Sequence, residues 1–403
     1  MIIGIDASRA NRSLRTGTEW YSFYIIQHLA AIDRDNQYIL YLDKEAAADL
    51  AAAVAPYANF RLRVLKWPWR YFWTLGRLSW EMLVHRPDVL FVPAHSLPLI
   101  HPRRTVNTIH DIAFIREGGL YQKKGVRLEN RTGKRFLNLI TRLLTRGRYE
   151  SNSLDYLSWS TAYALKHAHK IIAVSAFTKQ EIVDVYSERY ADKIQVVHNG
   201  YPRDLYFPIT DSADRKHVLD KYGLEAPFFL YVGRLEKKKN TPALVEAFSI
   251  FKESYAADGA HLVLIGNAGF GYDEVKYIIE EYNLGRSVIM PGWVAEEDLP
   301  AIFSSALAFI FPTLHEGFGI PALQAMACGV PVVMSDLPVL REIGDDAALY
   351  FNPRDKMALA AALAKIFEDS ALRQDLVTRG LARSQQFSWE RSAQETLAVL
   401  LSS

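Results

Sequence analysis

The chain has 403 residues, half of them apolar and about a quarter charged, a balance typical of globular rather than disordered proteins. This length is too great for one compact core and predicts two domains of about 200 residues each. A single cysteine, Cys328, excludes an internal disulfide and a multi-cysteine metal site. The N-terminus leads directly into a predicted strand, and no apolar run reaches the roughly 18 residues of a membrane span. We therefore expect a cytoplasmic protein, attached at most to a membrane surface.

The net charge of +2 is unevenly distributed along the chain. Residues 1–200 hold 28 Lys and Arg against 18 Asp and Glu, whereas residues 201–403 hold 19 against 27. The first half is therefore the one that we expect to meet an anionic surface or substrate.

Predicted strands alternate with helices throughout, which indicates parallel α/β domains. A cluster of turn residues near 199–208 follows a strand and marks the predicted domain boundary. The predicted strands are 2–6, 38–42, 63–65, 89–92, 105–109, 170–174, 194–197, 228–233, 261–265, 288–290, 308–311, 330–334 and 348–350.

Two stretches near the N-terminus stand out. Gly17 stands where an Arg-rich loop after the first strand gives way to an apolar helix, and an ordinary helix start is one interpretation of it. The stretch 66–73 gathers cations and aromatic rings, and two interpretations stay open: a membrane-interface anchor, or a groove in which aromatic faces stack on an acceptor sugar. Basic–aromatic mixtures also suit single-stranded nucleic acid, but no recognition module accompanies this one and we expect no nucleic-acid partner. The residues singled out in this stretch are Lys66, Trp67, Trp69, Arg70 and Trp73.

The strand at 105–109 is followed by the pair His110–Asp111. Ligands of parallel sheets bind beyond the carboxyl ends of the strands, which makes His110 a candidate site residue. Asp111 either orients His110 or caps the next segment.

Residues 134–148 read as an amphipathic helix with one bulky apolar face and one basic face that includes Arg135, Arg142 and Arg146. This pattern is typical of a helix lying in the headgroup region of anionic lipid. Packing of the apolar face on its own domain explains the pattern equally well.

In the second half, a strand at 228–233 runs into a basic turn that holds Arg234 and Lys239. The strand at 308–311 precedes Glu316, a glycine-rich turn and a helix that starts near Pro321. A strand, a tight turn and a helix N-terminus together favour an anion. A carboxylate beside that anion site indicates a ligand with hydroxyls as well as phosphate, such as a nucleotide sugar.

These two segments resemble the signature elements of the retaining glycosyltransferases of family four, including the pattern E-G-F-G-x-P-x-x-E-A-M-A-x-G-x-P-V. The resemblance implies an α/β fold of GT-B architecture, in which two Rossmann-like parallel-sheet domains face each other across a deep cleft. The tail from Phe387 is similar to the family's final helix, which crosses back to the first domain. The expected acceptor-binding domain is therefore 1–205 completed by 386–403, and the expected nucleotide-sugar-binding domain is 206–385.

The resemblance also implies roles for individual residues. The matching arginine and lysine grip the donor diphosphate, the glutamate binds hydroxyls of the donor sugar, and the histidine lies close to that sugar. GT-B enzymes generally neutralise the leaving group with side chains, so no metal and no cofactor are expected and the nucleotide sugar is a co-substrate. The predicted catalytic residues are Glu316, His110, Arg234 and Lys239. The predicted donor-binding residues are Gly17, Gly233, Arg234, Lys239, Glu316, Gly317, Phe318, Gly319, Ile320 and Gln324.

Gln324 departs from the family pattern, which has a second glutamate at this place that accepts from both ribose hydroxyls. A glutamine has a single acceptor oxygen and adds a donor. Three interpretations stay open: a tolerated loss of about 1 kcal/mol, a 2′-deoxyribose donor such as a dTDP-sugar, or binding without turnover.

The chain is most similar to bacterial mannosyltransferases that extend surface polysaccharides on lipid carriers, notably over 108–114 and 265–272. We therefore expect transfer of mannose from GDP-mannose to a lipid-linked oligosaccharide, on the inner face of the cytoplasmic membrane, for O-antigen or another surface polysaccharide. The alternatives are a transferase that uses a dTDP- or UDP-sugar (rhamnose, glucose or GlcNAc), a GT-B-fold epimerase, and a non-catalytic nucleotide-sugar binder.

Overall fold

The computed structural model describes residues 1–67, 73–116, 153–255, 257 and 259–402. The chain divides into two compact units, Met1–Gly200 with Trp389–Ser403, and Tyr201–Ser388. Five residues predicted as acceptor or membrane contacts, Trp69, Arg70, Arg135, Arg142 and Arg146, lie outside the described residues, as does the predicted helix 134–148.

The first unit is a parallel sheet with helices packed on it. Its strands are β1 Ile2–Asp6, β2 Gln37–Leu42, β3 Phe60–Val64, β4 Val89–Val92, β5 Thr105–Ile109, β6 Lys170–Ala173 and β7 Ile194–Val196. Its helices are α1 Gly17–Ile32, α2 Ala48–Val54, α3 Ser79–Val84 (preceded by a π-helical segment Trp73–Leu78), α4 Ala113–Arg116, α5 Ser153–His167 and α6 Ala176–Tyr186.

The strands of this sheet lie in the order β3-β2-β1-β4-β5-β6-β7 and pair in parallel. Every residue of β4 and β5 is buried, as expected where helices cover both faces of a parallel sheet. The chain moves outward from β1 to β3 on one side and from β4 to β7 on the other. The carboxyl ends of β1 and β4 therefore form the topological switch point at which such sheets bind ligands.

The C-terminal helix belongs to the first unit. The Tyr24 ring of α1 stacks on Trp389 at 5.3 Å between centroids, and Tyr21 meets the same indole edge-on at 5.9 Å. These aromatic contacts fasten helix Trp389–Leu401 to α1, which confirms the predicted return of the final helix to the first domain.

The second unit is also a parallel sheet with helices packed on it. Its strands are β8 Phe228–Val232, β9 His261–Ile265, β10 Val288–Gly292, β11 Ala308–Phe311, β12 Val332–Ser335 and β13 Leu349–Phe351. Its helices are α7 Ser212–Tyr222, α8 Thr241–Tyr255, α9 Tyr272–Glu281, α10 Leu299–Ser305, α11 Ile320–Ala327, α12 Pro338–Gly344, α13 Lys356–Glu368 and α14 Ser370–Ser384, and α15 is the C-terminal helix Trp389–Leu401.

The second sheet has the order β10-β9-β8-β11-β12-β13, again with parallel pairing. Its switch point lies between β8 and β11, because the chain leaves these neighbours in opposite directions. The core packs around α8, whose apolar positions 244, 247, 248 and 251 are fully buried at helical spacing, as predicted.

Each strand predicted from the sequence is present among the described residues. Five strands have the predicted bounds, and the bounds of the others differ by one to three residues. The strand β3, predicted at 63–65, starts at Phe60 because it pairs in register with β2 from Tyr38 onward. Within the described ranges, none of the helices combines the length and apolarity that crossing a membrane requires.

Candidate active site

The switch point of the second sheet brings two predicted segments together. β8 and β11 are adjacent and parallel, so their carboxyl ends deliver the turns at 233–239 and 312–319 to the same edge. The backbone N–H of Leu314 donates to the Lys238 carbonyl at 3.0 Å, and the Thr313 hydroxyl donates to that same carbonyl at 3.3 Å. These bonds hold the basic turn against the turn that carries Glu316. Sequence reasoning missed Thr313, although its place just after a buried strand was a signal.

Lys239 and Glu316 form an ion pair at this edge. The Lys239 ammonium donates to Oε1 of Glu316. The side chains are only 21% and 12% exposed, and the ammonium lies 5.8 Å from the centre of the Phe311 ring. Partial removal from water strengthens the attraction between the two charges. The pair therefore presents a cation and a carboxylate side by side at the carboxyl edge of the second sheet.

Arg234 is held more loosely than Lys239. Its side chain is 61% exposed, and Nε lies 3.6 Å from Oε2 of Glu236. Its backbone is fixed, because the Tyr231 hydroxyl donates to the Arg234 carbonyl at 2.8 Å. Burial first, and then the nearby carboxylates of Glu316 and Glu236, raise the pKa of Tyr231 well above its ordinary value. The phenol therefore stays protonated and remains a donor while the guanidinium is open to an incoming anion.

Glycine is required where the backbones of this site approach each other. Gly266 has φ +142°, and a Cβ there would lie 1.9 Å from the carbonyl oxygen of Gly233. Gly319 has φ +111° at the N-cap of α11, a conformation that side chains rarely adopt. The turn thus reaches the helix N-terminus, whose first N–H groups lack partners within the helix.

Four further predicted donor-binding residues lie in the turn before α11 or in the first turns of this helix. Gly317 and Phe318 are buried, and the Phe318 ring packs edge-on against Phe387 at 5.9 Å, which anchors the turn. Ile320 and Gln324 are half-buried and stand one helical turn apart, so they lie on one face of α11. Pro321 is in the first turn of this helix, as predicted.

In the first unit, His110 follows β5 as predicted and is held by several contacts. Its Nε2 lies 3.1 Å from the Pro93 carbonyl oxygen, and Tyr21 meets the ring edge-on at 4.7 Å. Burial, followed by the neighbouring His95, lowers the pKa of His110 to about 4. The ring is therefore uncharged at neutral pH, and because a carbonyl only accepts, Nε2 carries the proton and Nδ1 is an acceptor. Asp111 caps the next segment through the backbone N–H of Ala113, at 3.2 Å.

A buried carboxylate that sequence reasoning missed stands at the end of β1. Asp6 accepts from the backbone N–H of Ser8 at 3.1 Å and from its hydroxyl at 2.6 Å, and the Thr74 hydroxyl is 3.4 Å away. Burial raises the pKa of Asp6 above its ordinary value. The signal was available, since Asp6 ends a predicted strand and the switch point lies beside it.

Gly17 is the first residue of α1, after Thr16, which forms a capping box with Glu19. A Cβ at Gly17 would meet no atom within 4 Å, so nothing in the fold requires glycine there. Its predicted role at the donor phosphates stays a prediction.

The predicted acceptor or membrane stretch is only partly at the surface. Lys66 is exposed, and Trp67 is half-buried against the core of the first unit. Trp73 is buried in that core and its indole N–H donates to the Leu65 carbonyl at 3.0 Å. The prediction is therefore wrong for Trp73, because its apolar ring stabilises the fold and has no surface to offer a lipid or a sugar.

No group of three or more His, Cys, Asp or Glu side chains in the described part of the chain is arranged to hold a metal ion. The tripeptide Asp33-Arg34-Asp35 has the Asp-x-Asp form of a metal motif. The carboxylate of Asp33, however, accepts from Tyr38 at 2.5 Å and from Asn36 at 2.8 Å. The Asp33 carboxylate is therefore engaged in hydrogen bonds at the C-terminal end of α1.

Comparison with known proteins identifies the family of this chain. Residues 15–205 match the family model described as Glycosyltransferase Family 4, and residues 215–383 match that of Glycosyl transferases group 1. The chain is 30% identical over 322 residues to O-antigen chain mannosyltransferase B of Escherichia coli, a match that covers 80% of this chain and 76% of the relative.

Solved structures share the fold. Sucrose-phosphate synthase from Thermosynechococcus elongatus superposes with a TM-score of 0.73 at 21% identity, over 98% of this chain and 97% of that one. Anabaena HepE, solved in complex with UDP-glucose, gives a TM-score of 0.69 at 18% identity, over 100% and 99%. The fold and the sequence matches agree: the chain has the GT-B architecture and belongs to glycosyltransferase family 4.

Proposed function

We propose that this glycosyltransferase moves mannose from GDP-mannose to a hydroxyl of a lipid-linked oligosaccharide, with retention of the anomeric configuration, in the assembly of O-antigen or another surface polysaccharide. The observation that carries the proposal is the contact between Lys239 and Glu316 beside the N-terminus of α11. This contact offers one group for a diphosphate and one for sugar hydroxyls. The similarity to an O-antigen chain mannosyltransferase supports the choice of mannose and of the acceptor class.

The ion pair suits an exchange of partners when the donor binds. The diphosphate carries more negative charge than a carboxylate, so it competes for the Lys239 ammonium, and Glu316 then accepts from hydroxyls of the sugar. Arg234, held by one 3.6 Å contact to Glu236, swings to the same diphosphate. As the glycosidic bond breaks, these two cations and the N–H groups of α11 stabilise the charge on the leaving group.

His110 is proposed to contact the transferred sugar. Its imidazole is uncharged and donates through Nε2 to Pro93, so Nδ1 accepts from a sugar hydroxyl. A neutral acceptor suits this task better than a cation, because the sugar carbon becomes positively charged in the transition state.

We further propose that catalysis needs no divalent metal, because Arg234 and Lys239 supply the positive charge that a metal ion would otherwise bring to a diphosphate. The acceptor's lipid carrier would place the enzyme on the inner face of the cytoplasmic membrane. The basic first half of the chain suits an anionic bilayer.

Gln324 supports a second candidate donor. It is half-buried on the face of α11 that carries Ile320, and its amide has a single acceptor oxygen. A dTDP-sugar, whose ribose has one hydroxyl fewer, matches that acceptor.

The test is turnover of GDP-, UDP-, ADP- and dTDP-sugars, with EDTA present and a membrane extract as the source of acceptor. Release of the nucleoside diphosphate reports the donor, and NMR of the product reports the anomeric configuration. Glu316→Gln should abolish turnover, whereas Glu274→Gln, at an exposed ion pair with Lys237, should not. Binding of every donor without turnover would overturn the proposal, and release of a free or epimerised sugar without acceptor would indicate an epimerase.

A further inference from the structure

Helix α3 presents an exposed apolar face. Trp80, Leu83 and Val84 are each more than half exposed, and their spacing of three and four residues makes them neighbours on the helix. The opposite face of α3 is buried through Ser79, Glu81 and Met82. Three large apolar side chains grouped in this way differ from the scattered apolar residues of an ordinary surface.

The exposed face is held rigidly. The buried carboxylate of Glu81 forms ion pairs with Arg63 at 2.6 Å and with Arg77 at 3.0 Å, and Nδ1 of His85 lies 3.1 Å from it. A six-residue helix has little stability of its own, so this cluster fixes α3 to the sheet and keeps its apolar side chains directed outward.

A further exposed apolar side chain, Ile100, lies near the start of α3. The Ser79 hydroxyl accepts from the backbone N–H of Leu99 at 2.8 Å, and the Tyr163 hydroxyl donates to the Leu99 carbonyl at 3.1 Å. The backbone N–H of the next residue, Ile100, lies 3.4 Å from the Ser79 hydroxyl, and its side chain is exposed. On α5 the half-buried Tyr163 ring stacks with Trp159 at 5.4 Å. We name Trp80, Leu83, Val84 and Ile100 the α3 surface.

Positive charge surrounds the α3 surface. Residues 77–88, 99–105, 163–170 and 189–195, which form and flank it, hold eight Lys and Arg against three Asp and Glu. Burial lowers the pKa values of three histidines in these segments, and nearby cations lower them further. Lys193 acts on all three, and the histidines are His101, His167 and His169.

We propose that the α3 surface docks the enzyme on an anionic lipid bilayer, with Trp80, Leu83, Val84 and Ile100 entering the headgroup region and the surrounding cations meeting lipid phosphates. An indole beside aliphatic side chains suits the membrane interface, and a basic rim suits anionic lipid. The excess of positive charge in these segments is complementary to anionic lipid headgroups, and this complementarity selects an anionic bilayer as the occupant. The inference rests on the proposed function, since a lipid-linked acceptor brings the enzyme to a bilayer. It concerns residues that the sequence patterns at 66–73 and 134–148 do not include.

The test measures partition of the full-length protein onto vesicles of phosphatidylcholine with 30% phosphatidylglycerol, and onto pure phosphatidylcholine. We expect the double variant Trp80→Ser/Leu83→Ser to lower partition onto the anionic vesicles at least about tenfold. Arg86→Gln/Lys166→Gln should weaken binding to anionic vesicles and flatten its dependence on salt. Trp293→Ser is the matched control, because Trp293 is an equally exposed indole in the second unit. The changed side chains are at the surface, and thermal unfolding checks that each variant folds.

The outcomes separate docking from catalysis. Nucleoside diphosphate release with a detergent-solubilised acceptor should stay at the wild-type level in Trp80→Ser/Leu83→Ser. Loss of vesicle binding in this variant supports docking even if the enzyme turns over no donor. An absence of turnover would contradict only the proposed function. Unchanged partition in this variant overturns the docking proposal. So does a change in sedimentation velocity from dimer to monomer without a change in partition, which would make the α3 surface an interface between copies.

Discussion

Replacing Lys239 by methionine isolates the charge at the centre of the proposed donor site. The methionine keeps most of the apolar stem and removes the ammonium that donates to Glu316. Glu316 is then left 12% exposed without this counter-ion. The variant therefore has two separable effects, one on the free energy of unfolding and one on the rate.

The stability effect follows from burial. Exposed ion pairs contribute about 0–1 kcal/mol, and breaking a fully buried pair costs about 3–5 kcal/mol. With side chains 21% and 12% exposed, this pair falls between the two, and we expect a loss of about 1–3 kcal/mol. For a domain of this size each kcal/mol lowers Tm by about 2–4 °C.

The rate effect is larger. A fixed group that stabilises charge in a transition state is worth about 10²–10³ in kcat, or about 3–4 kcal/mol. Lys239→Met should therefore lower kcat by that factor with the best donor, and Lys239→Arg should recover part of it because the charge returns.

Lys237→Met is the matched control. Lys237 stands two residues away in the same turn and pairs with Glu274 at 2.7 Å, where both side chains are nearly half exposed. Nucleoside diphosphate release and thermal unfolding are measured for both variants. If kcat of Lys239→Met stays within about threefold of the control while Tm falls, Lys239 only stabilises the turn and the assignment is refuted.

Three further predictions concern the nucleotide, a titrating histidine and the backbone. Gln324→Glu should lower KM for a ribonucleotide donor about fivefold, the worth of about one hydrogen bond, with no gain for a dTDP-sugar. The pKa of His110 is lowered to about 4 by burial and His95, and the unfolded chain binds its proton near 6.5. The unfolding free energy should therefore fall as pH drops from about 6.5 to about 4, by up to about 3 kcal/mol, and urea titrations of His110→Gln should show a shallower decline. Gly266→Ala should cost more than about 3 kcal/mol, because its Cβ meets a carbonyl oxygen at 1.9 Å, whereas Gly285→Ala, in open space, should stay within about 0.5 kcal/mol.

Clear results would contradict each of these three predictions. An unchanged KM for Gln324→Glu with every donor would remove the ribose contact. Equal pH slopes for wild type and His110→Gln would mean that other groups carry the acid sensitivity. A Gly266→Ala protein as stable as Gly285→Ala would show that the backbone shifts freely at this turn.

The sequence predicted the positions of the strands and of the turns of the candidate site because both depend on local order. Buried parallel strands are short apolar runs, and the turn before α11 needs glycine at position 319, where φ is +111°. Such features are written in consecutive residues. The roles of Glu316, Lys239 and His110 came from resemblance and remain to be tested by the variants above.

Contacts between segments that are distant along the chain could not be predicted from the sequence. Lys239 and Glu316 are 77 residues apart, and only the pairing of β8 with β11 brings them into contact. Trp73 was predicted to lie at the surface beside cations, but its indole packs in the core of the first unit. The sequence analysis made no prediction for the α3 surface, and only the fold shows that its apolar side chains are exposed. The sequence shows which residues are apolar and how they are spaced. Which of them are exposed to solvent depends on how each helix packs against its sheet, and only the tertiary structure decides this.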